Sequence, residues 1–96
     1  MATYVLVHGA WHGAWAWDEV TPLLEAEGHT VDALDLPGHG DDRSPVSEMT
    51  LEGNVNRILE RIDAAGEPVV LLGHSMGGMS VTQAAEHVPE RISRLV

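Results

Sequence analysis

Between residues 69 and 80 the chain reads VVLLGHSMGGMS, four apolar residues followed by a single hydroxyl set between glycines. Few folds accommodate that order. A short apolar, β-branched run reads as a strand covered on both faces. The following residues, 76–88, read as a helix stopped by Pro89, because a proline cannot continue a helix. The turn between the two must be sharp. Gly73 and Gly77 carry no Cβ, so neighbouring backbone can approach closely, and Gly78 extends that freedom into the helix. The G-x-S-x-G spacing between strand and helix displays Ser75 at the carboxyl edge of a sheet as a candidate nucleophile. The helix behind it supplies free N–H groups and a positive dipole end. The backbone N–H of Met76 faces the same pocket and is a candidate oxyanion donor. A plain helix-capping role for Ser75 is the alternative. His74 is adjacent to the serine, but the side chain before such a turn points elsewhere, so it reads as a packing or pocket residue rather than the base.

The rest of the chain alternates in the same way. Residues 4–7 form a strand, 15–28 a helix with Trp17, Val20 and Leu24 at helical spacing, and 30–36 a second strand. Pro22 fits the first turn of that first helix, with Thr21 a candidate cap, and Gly28 is its stop. A loop rich in Gly, Pro, Asp and Ser follows. Thr50 is placed to cap a second helix whose stripe is Leu51, Val55, Ile58, Leu59 and Ile62, ended by Gly66. Residues 91–96 begin a fourth strand. Strands alternating with helices predict an α/β fold, a three-layer parallel sheet with flanking helices, about four strands and three helices.

In that topology the first and third strands are neighbours, so the loop HGAWHGAW lies beside Ser75. Gly9 lets it turn tightly, and the N–H of Ala10 is the candidate second oxyanion donor. Trp11 reads equally as a wall of an apolar substrate pocket or as core, and Trp17 as core. His8 and His12 are four apart, a metal spacing only on a helix, and Gly9 breaks that geometry. His39 reads as a turn residue bonding its own loop, Asp35 as similarly structural, and His29 and His87 as surface positions at helix ends.

Composition closes off several classes. The chain has 96 residues, enough for one small domain. Fifteen acids against five bases, all arginine, give a formal net charge of −10, which disfavours nucleic acid and anionic membrane as partners. The acids are dispersed, with few adjacent ones such as Asp41 and Asp42, and read as a solvated surface. No cysteine is present, so disulfides and thiolate chemistry are excluded. No metal or cofactor is called for. The start lacks a basic, apolar leader and no segment is long enough for a membrane helix, so a cytoplasmic location is expected.

The runs YVLVHGAWHGAWAW, AEGHTVDALDLPGHG and VVLLGHSMGGMSVTQAAEHVPERISRLV together resemble the N-terminal half of an α/β-hydrolase. The resemblance is to the compact branch of plant methylesterases, salicylate-binding esterases and hydroxynitrile lyases with their bacterial relatives. It implies a carboxylic ester hydrolase acting through an acyl-enzyme, with Ser75 as nucleophile and Ala10 and Met76 as oxyanion donors. Gly9, Trp11 and His74 are the candidate substrate-binding residues. Members of that branch start at this first strand, so Met1 is expected to be the native start. The resemblance also implies an acid and a histidine after later strands. No residue before Val96 matches either, so the chain is expected to be the N-terminal part of one domain, cut at the strand after the third helix and nearly inactive alone. The lyases place a threonine where this chain has Ala10, which favours ester hydrolysis over C–C cleavage. A non-catalytic ligand receptor on the same fold is the other alternative. The expected partners are a small-molecule ester and, through an exposed sheet edge, a second copy.

Overall fold

The computed structural model describes residues 2–96; Met1, and with it the expectation of a native start, lies outside the described residues. The strands are β1 (Thr3–Val7), β2 (Thr30–Leu34), β3 (Val69–Gly73) and β4 (Ile92–Leu95), and the helices α1 (Thr21–Ala26), α2 (Leu51–Ala65) and α3 (Gly77–His87). All strand pairs are parallel, in the order β2-β1-β3-β4. The predicted α/β architecture is therefore the observed one. Tyr4 pairs with Val70 and Val5 with Leu71, so β1 and β3 end side by side.

Alternation along the strands sends Val5, Val7, Leu34, Val69 and Leu71 into one core with Val55, Ile58 and Ile62 of α2 and Val81 and Ala84 of α3. Each fully buried aliphatic side chain contributes about 1.5–3 kcal/mol. The opposite face holds Leu6, also fully buried, where α1 and the turn before it pack on β2 and β1. α2 has the predicted ends. The Thr50 hydroxyl accepts from the Gly53 N–H at 2.9 Å, and Gly66 closes it at φ 71°. A fork from Arg61 to both Asp32 oxygens, at 2.8 and 2.5 Å, ties α2 to β2.

Two expectations give way. Residues 15–28 are not one helix. A 3₁₀ turn (Ala14–Trp17) precedes a short α1 that starts at Thr21, and no side chain caps it. Pro22 accounts for this, since its ring and missing N–H are tolerated only in a first turn. Leu51, read as part of the apolar stripe of α2, is 45% exposed and lines an open cleft with Val55, Leu59, Gln83 and His87.

Candidate active site

The turn after β3 begins with Gly73 and passes through His74, Ser75 and Met76 into α3. Ser75 has φ 58°, in the left-handed region that costs a non-glycine residue roughly 1–2 kcal/mol. Backbone hydrogen bonds hold it there: His74 N–H to Val7 O at 3.0 Å, Gly77 N–H to His74 O at 2.9 Å and Gly78 N–H to Ser75 O at 2.9 Å. Contact explains the two motif glycines. A Cβ on Gly77 would lie 2.6 Å from the carbonyl oxygen of His8 and 2.9 Å from that of Val7, and one on Gly73 would lie 2.7 Å from that of Gly77. Gly78 differs, for a Cβ there would meet nothing within 4 Å. The serine is exposed, and among the described residues the Met76 N–H has no backbone acceptor.

The loop after β1 presses against this turn. A Cβ on Gly9 would sit 3.2 Å from the His74 carbonyl oxygen and 3.3 Å from the Ser75 Cβ. His12 N–H closes the loop onto Gly9 O at 3.3 Å, while the Ala10 N–H has no backbone acceptor among the described residues. Trp11 has φ 65°. Among the described residues Trp11 and Ser75 are the non-glycine positions with positive φ, and each follows or precedes a free amide, that of Ala10 or Met76. Such outliers persist only where the surrounding structure over-determines them.

Ala10, Trp11 and Met76 share the wall of a cleft of about 290 Å³ with His39, Met49, Thr50 and Asn54. Trp11 is 91% exposed, so it packs in no core. His74 and Trp17 line a second cleft of about 190 Å³ with His8, His12, Ala16 and Val20. There the His74 ring lies parallel to that of His12, centroids 6.1 Å apart.

His8 is the residue that sequence reasoning underrated. It is fully buried; its Nδ1 lies 2.7 Å from Gly9 O and its Nε2 accepts from the Leu36 N–H at 3.0 Å. Burial, first, holds its pKa below the ordinary histidine value, and the neighbouring His39 and His12 add to this. His39 places Nδ1 3.0 Å from Pro37 O, the turn role expected of it. With both ring nitrogens engaged, His8 has none free to act as a base for Ser75. Among the described residues no three His, Asp or Glu side chains gather as metal ligands.

The loop after β2 is fastened by acids. Asp35 accepts from Ala14 N–H at 2.7 Å and from Asp41 N–H at 3.2 Å, joining the first two loops. Asp42 accepts from Gly38 N–H at 2.9 Å and Ser44 N–H at 2.8 Å and pairs with Arg57 at 2.8 Å. Arg57 also donates to Asp35 O at 2.6 Å. Asp42 is thus a structural acid, not the solvated one its sequence neighbourhood suggests. Bonds from Ser44, then from Gly38, and the ion pair hold its carboxyl far below the usual carboxylate range. Its Arg57 partner lies fifteen positions away and carries no local signal.

Three similarities accord with this geometry. The chain is 46% identical to salicylic acid-binding protein 2 of Nicotiana tabacum over 93% of its own length and 35% of that protein. It is 45% identical to methylesterase 9 of Arabidopsis thaliana, over 97% of this chain and 38% of that one. The crystal structure of polyneuridine aldehyde esterase superposes with a TM-score of 0.91 at 42% identity, covering 99% of this chain and 38% of the other. The chain therefore spans little more than a third of the length of these relatives. Residues 4–96 also match the family model for the alpha/beta hydrolase family. With four parallel strands, a strained serine turn and that match along nearly its whole length, this chain belongs to the alpha/beta hydrolase family.

Proposed function

We propose that this chain is the nucleophile-bearing N-terminal part of a carboxylic ester hydrolase. One observation carries the reading: an exposed serine held at positive φ between two loops whose Ala10 and Met76 amides are unspent. Relatives named as esterases support the reaction class. The Ser75 oxygen attacks the ester carbonyl carbon, and the resulting oxyanion accepts hydrogen bonds from the Ala10 and Met76 N–H groups. The C–O bond to the alcohol then breaks, and the alcohol leaves with the proton that a base took from the serine. Water cleaves the acyl-serine by the reverse sequence. The base and its orienting acid come from residues beyond this chain, so the 96 residues alone turn over esters feebly. Enzymes of this logic stripped of their base keep roughly 10³–10⁴-fold over water. The substrate is a small ester, with Gly9, Trp11 and His74 shaping its surroundings. A net charge of −10 argues against nucleic acid as a partner, and no helix among the described residues can cross a membrane. The exposed β4 edge pairs with a second copy when nothing else covers it.

The test is p-nitrophenyl acetate turnover and fluorophosphonate labelling of the complete protein, with Ser75→Ala as control. Turnover should fall by several orders of magnitude in the variant. No serine-dependent turnover and no labelling would overturn the reading. Ligand reception without turnover is the second reading, favoured by the name of the tobacco relative. It predicts salicylate binding that Ser75→Ala leaves intact in a protein with no esterase activity. Mandelonitrile cleavage would instead indicate the lyase.

A further inference from the structure

The Ala10 amide needs something to aim it, and the candidate is a side chain that the ester chemistry never touches. A backbone amide only donates, so the Leu36 N–H at 3.0 Å from the His8 Nε2 requires that nitrogen to be unprotonated. A carbonyl oxygen only accepts, so Gly9 O at 2.7 Å from Nδ1 requires a proton there. A single state of the ring satisfies both contacts, neutral and protonated at Nδ1. A cation would aim a second N–H at the Leu36 N–H.

The carbonyl that His8 holds belongs to the peptide unit joining Gly9 to Ala10. That unit is trans, as no cis bond occurs among the described residues, so its C=O and N–H lie in one plane and point in opposite directions. Fixing the oxygen therefore fixes the direction of the Ala10 N–H. Donation to the oxygen also polarises the N–H on the other side of the unit. The His12 N–H adds a longer bond to the same oxygen, at 3.3 Å.

We propose that His8 is a positioning residue for the oxyanion loop: its ring, anchored at Nε2 by the Leu36 N–H and protonated at Nδ1, orients and polarises the Ala10 amide, and protonation at Nε2 breaks the Leu36 anchor while the Nδ1–H keeps its bond to Gly9 O. This deepens the esterase reading and rests on it for the role of Ala10. The titratable groups around the ring are His39, with centroids 5.1 Å apart, Asp35 and His12. Burial and the two histidines disfavour the cation, against the Gly9 carbonyl and Asp35, which favour it.

Nitrogen-15 labelling of the full chain tests this without turnover. Long-range proton–nitrogen spectra should find His8 neutral and protonated at Nδ1 at pH 7, and the Ala10 amide signal should move with the titration of that ring below pH ~6.5. Two variants divide the ring's contacts. His8→Asn offers a donor near the Nδ1 position, and His8→Gln an acceptor near Nε2. The Ala10 order parameter should stay near ~0.85 in the Asn variant and drop toward ~0.6 in the Gln variant. In the complete protein, His8→Gln should lose about ten- to hundredfold in kcat with KM within about twofold, part of the loss for a removed oxyanion donor, while His8→Asn recovers most of it. A ring protonated at Nε2, a cationic ring at pH 7, or an Ala10 amide equally ordered in both variants would overturn the proposal. Absent turnover in the parent overturns the esterase reading instead, and leaves the ring's state and the Ala10 order to decide on His8.

Discussion

Two turns meet at the carboxyl edge of the sheet, and each forces a non-glycine residue to positive φ, Ser75 at 58° and Trp11 at 65°. They are held by different means. The turn after β3 is held by backbone against backbone: Gly73 against the Gly77 carbonyl, and Gly77 against the carbonyls of Val7 and His8. The turn after β1 has one longer backbone bond, His12 N–H to Gly9 O at 3.3 Å, and is otherwise held by side chains, His8 reaching Leu36 and Asp35 reaching Ala14. Strain written in glycines is local and needs only the neighbouring strand. Strain held by side chains depends on the loop after β2, more than twenty positions along the chain.

The largest effect should come from breaking the first kind. Gly77→Ala drives a methyl to within 2.6 Å of one carbonyl oxygen and 2.9 Å of another. Backbone on both sides cannot swing aside as a side chain would. The expected loss is about 3 kcal/mol in urea denaturation at matched protein concentration, with fluorophosphonate labelling lost as well. A midpoint close to the parent's would mean that close approach is not what this glycine provides.

The second kind breaks at Asp35. Asp35→Ala leaves the amides of Ala14 and Asp41 without their acceptor. Those amides are near the surface and water can reach them, so the expected loss is smaller, about 2 kcal/mol. Proteolysis should then cut the loops at 10–16 and 37–44 before the rest of the chain. If both loops stay as resistant as the parent's, the two turns are not held differently after all.

The same division explains what the sequence makes legible. The strand-turn-helix about Ser75, the Thr50 cap and the Gly66 stop are all encoded within a few residues of where they act, and each stands where local chemistry puts it. The pairing of β1 with β3 follows from the α/β topology. Local pattern misleads where a single residue overrides it. Trp17, Val20 and Leu24 have helical spacing, yet Pro22 confines α1 to Thr21–Ala26. What stays hidden is long-range polar contact. His8 between Gly9 and Leu36, and Arg57 between Asp35 and Asp42, leave no periodic or motif signal. Those contacts fasten the loops around the candidate cleft, so the sheet is easier to read from sequence than the setting of its site.

Asp42 sharpens the comparison by pH. Its carboxyl is stabilised as the anion by Ser44, Gly38 and Arg57, so its folded pKa lies below the unfolded value of 3.8. The unfolded chain then binds more protons in that range, and stability falls as pH drops. Asp42→Asn keeps an acceptor for the two amides but loses the ion pair. The parent's advantage should be about 1 kcal/mol at pH 7, fully present above pH 3.8, and shrink as pH falls below that value toward the lowered one. Thermal melts of both proteins between pH 2 and 7 check it. An advantage that shrinks already between pH 7 and 5 would point to a histidine instead.

The smallest effect is also the finest test of the glycine argument. Gly78 stands beside Gly77 in the same first turn of α3, yet a Cβ there meets nothing within 4 Å, and its φ is not among the positive ones. Nothing in the contacts or the backbone requires glycine at that position. An alanine there loses less conformational freedom on folding and favours the helix, so Gly78→Ala should stabilise by about 0.5–1 kcal/mol. The adjacent substitutions would then have opposite signs, although both sit in the GG pair that sequence alone treats as one flexible unit. If Gly78→Ala destabilises as much as Gly77→Ala does, the first turn of α3 needs mobility rather than room, and the Ser75 turn is held less by packed carbonyls than by a helix start free to shift.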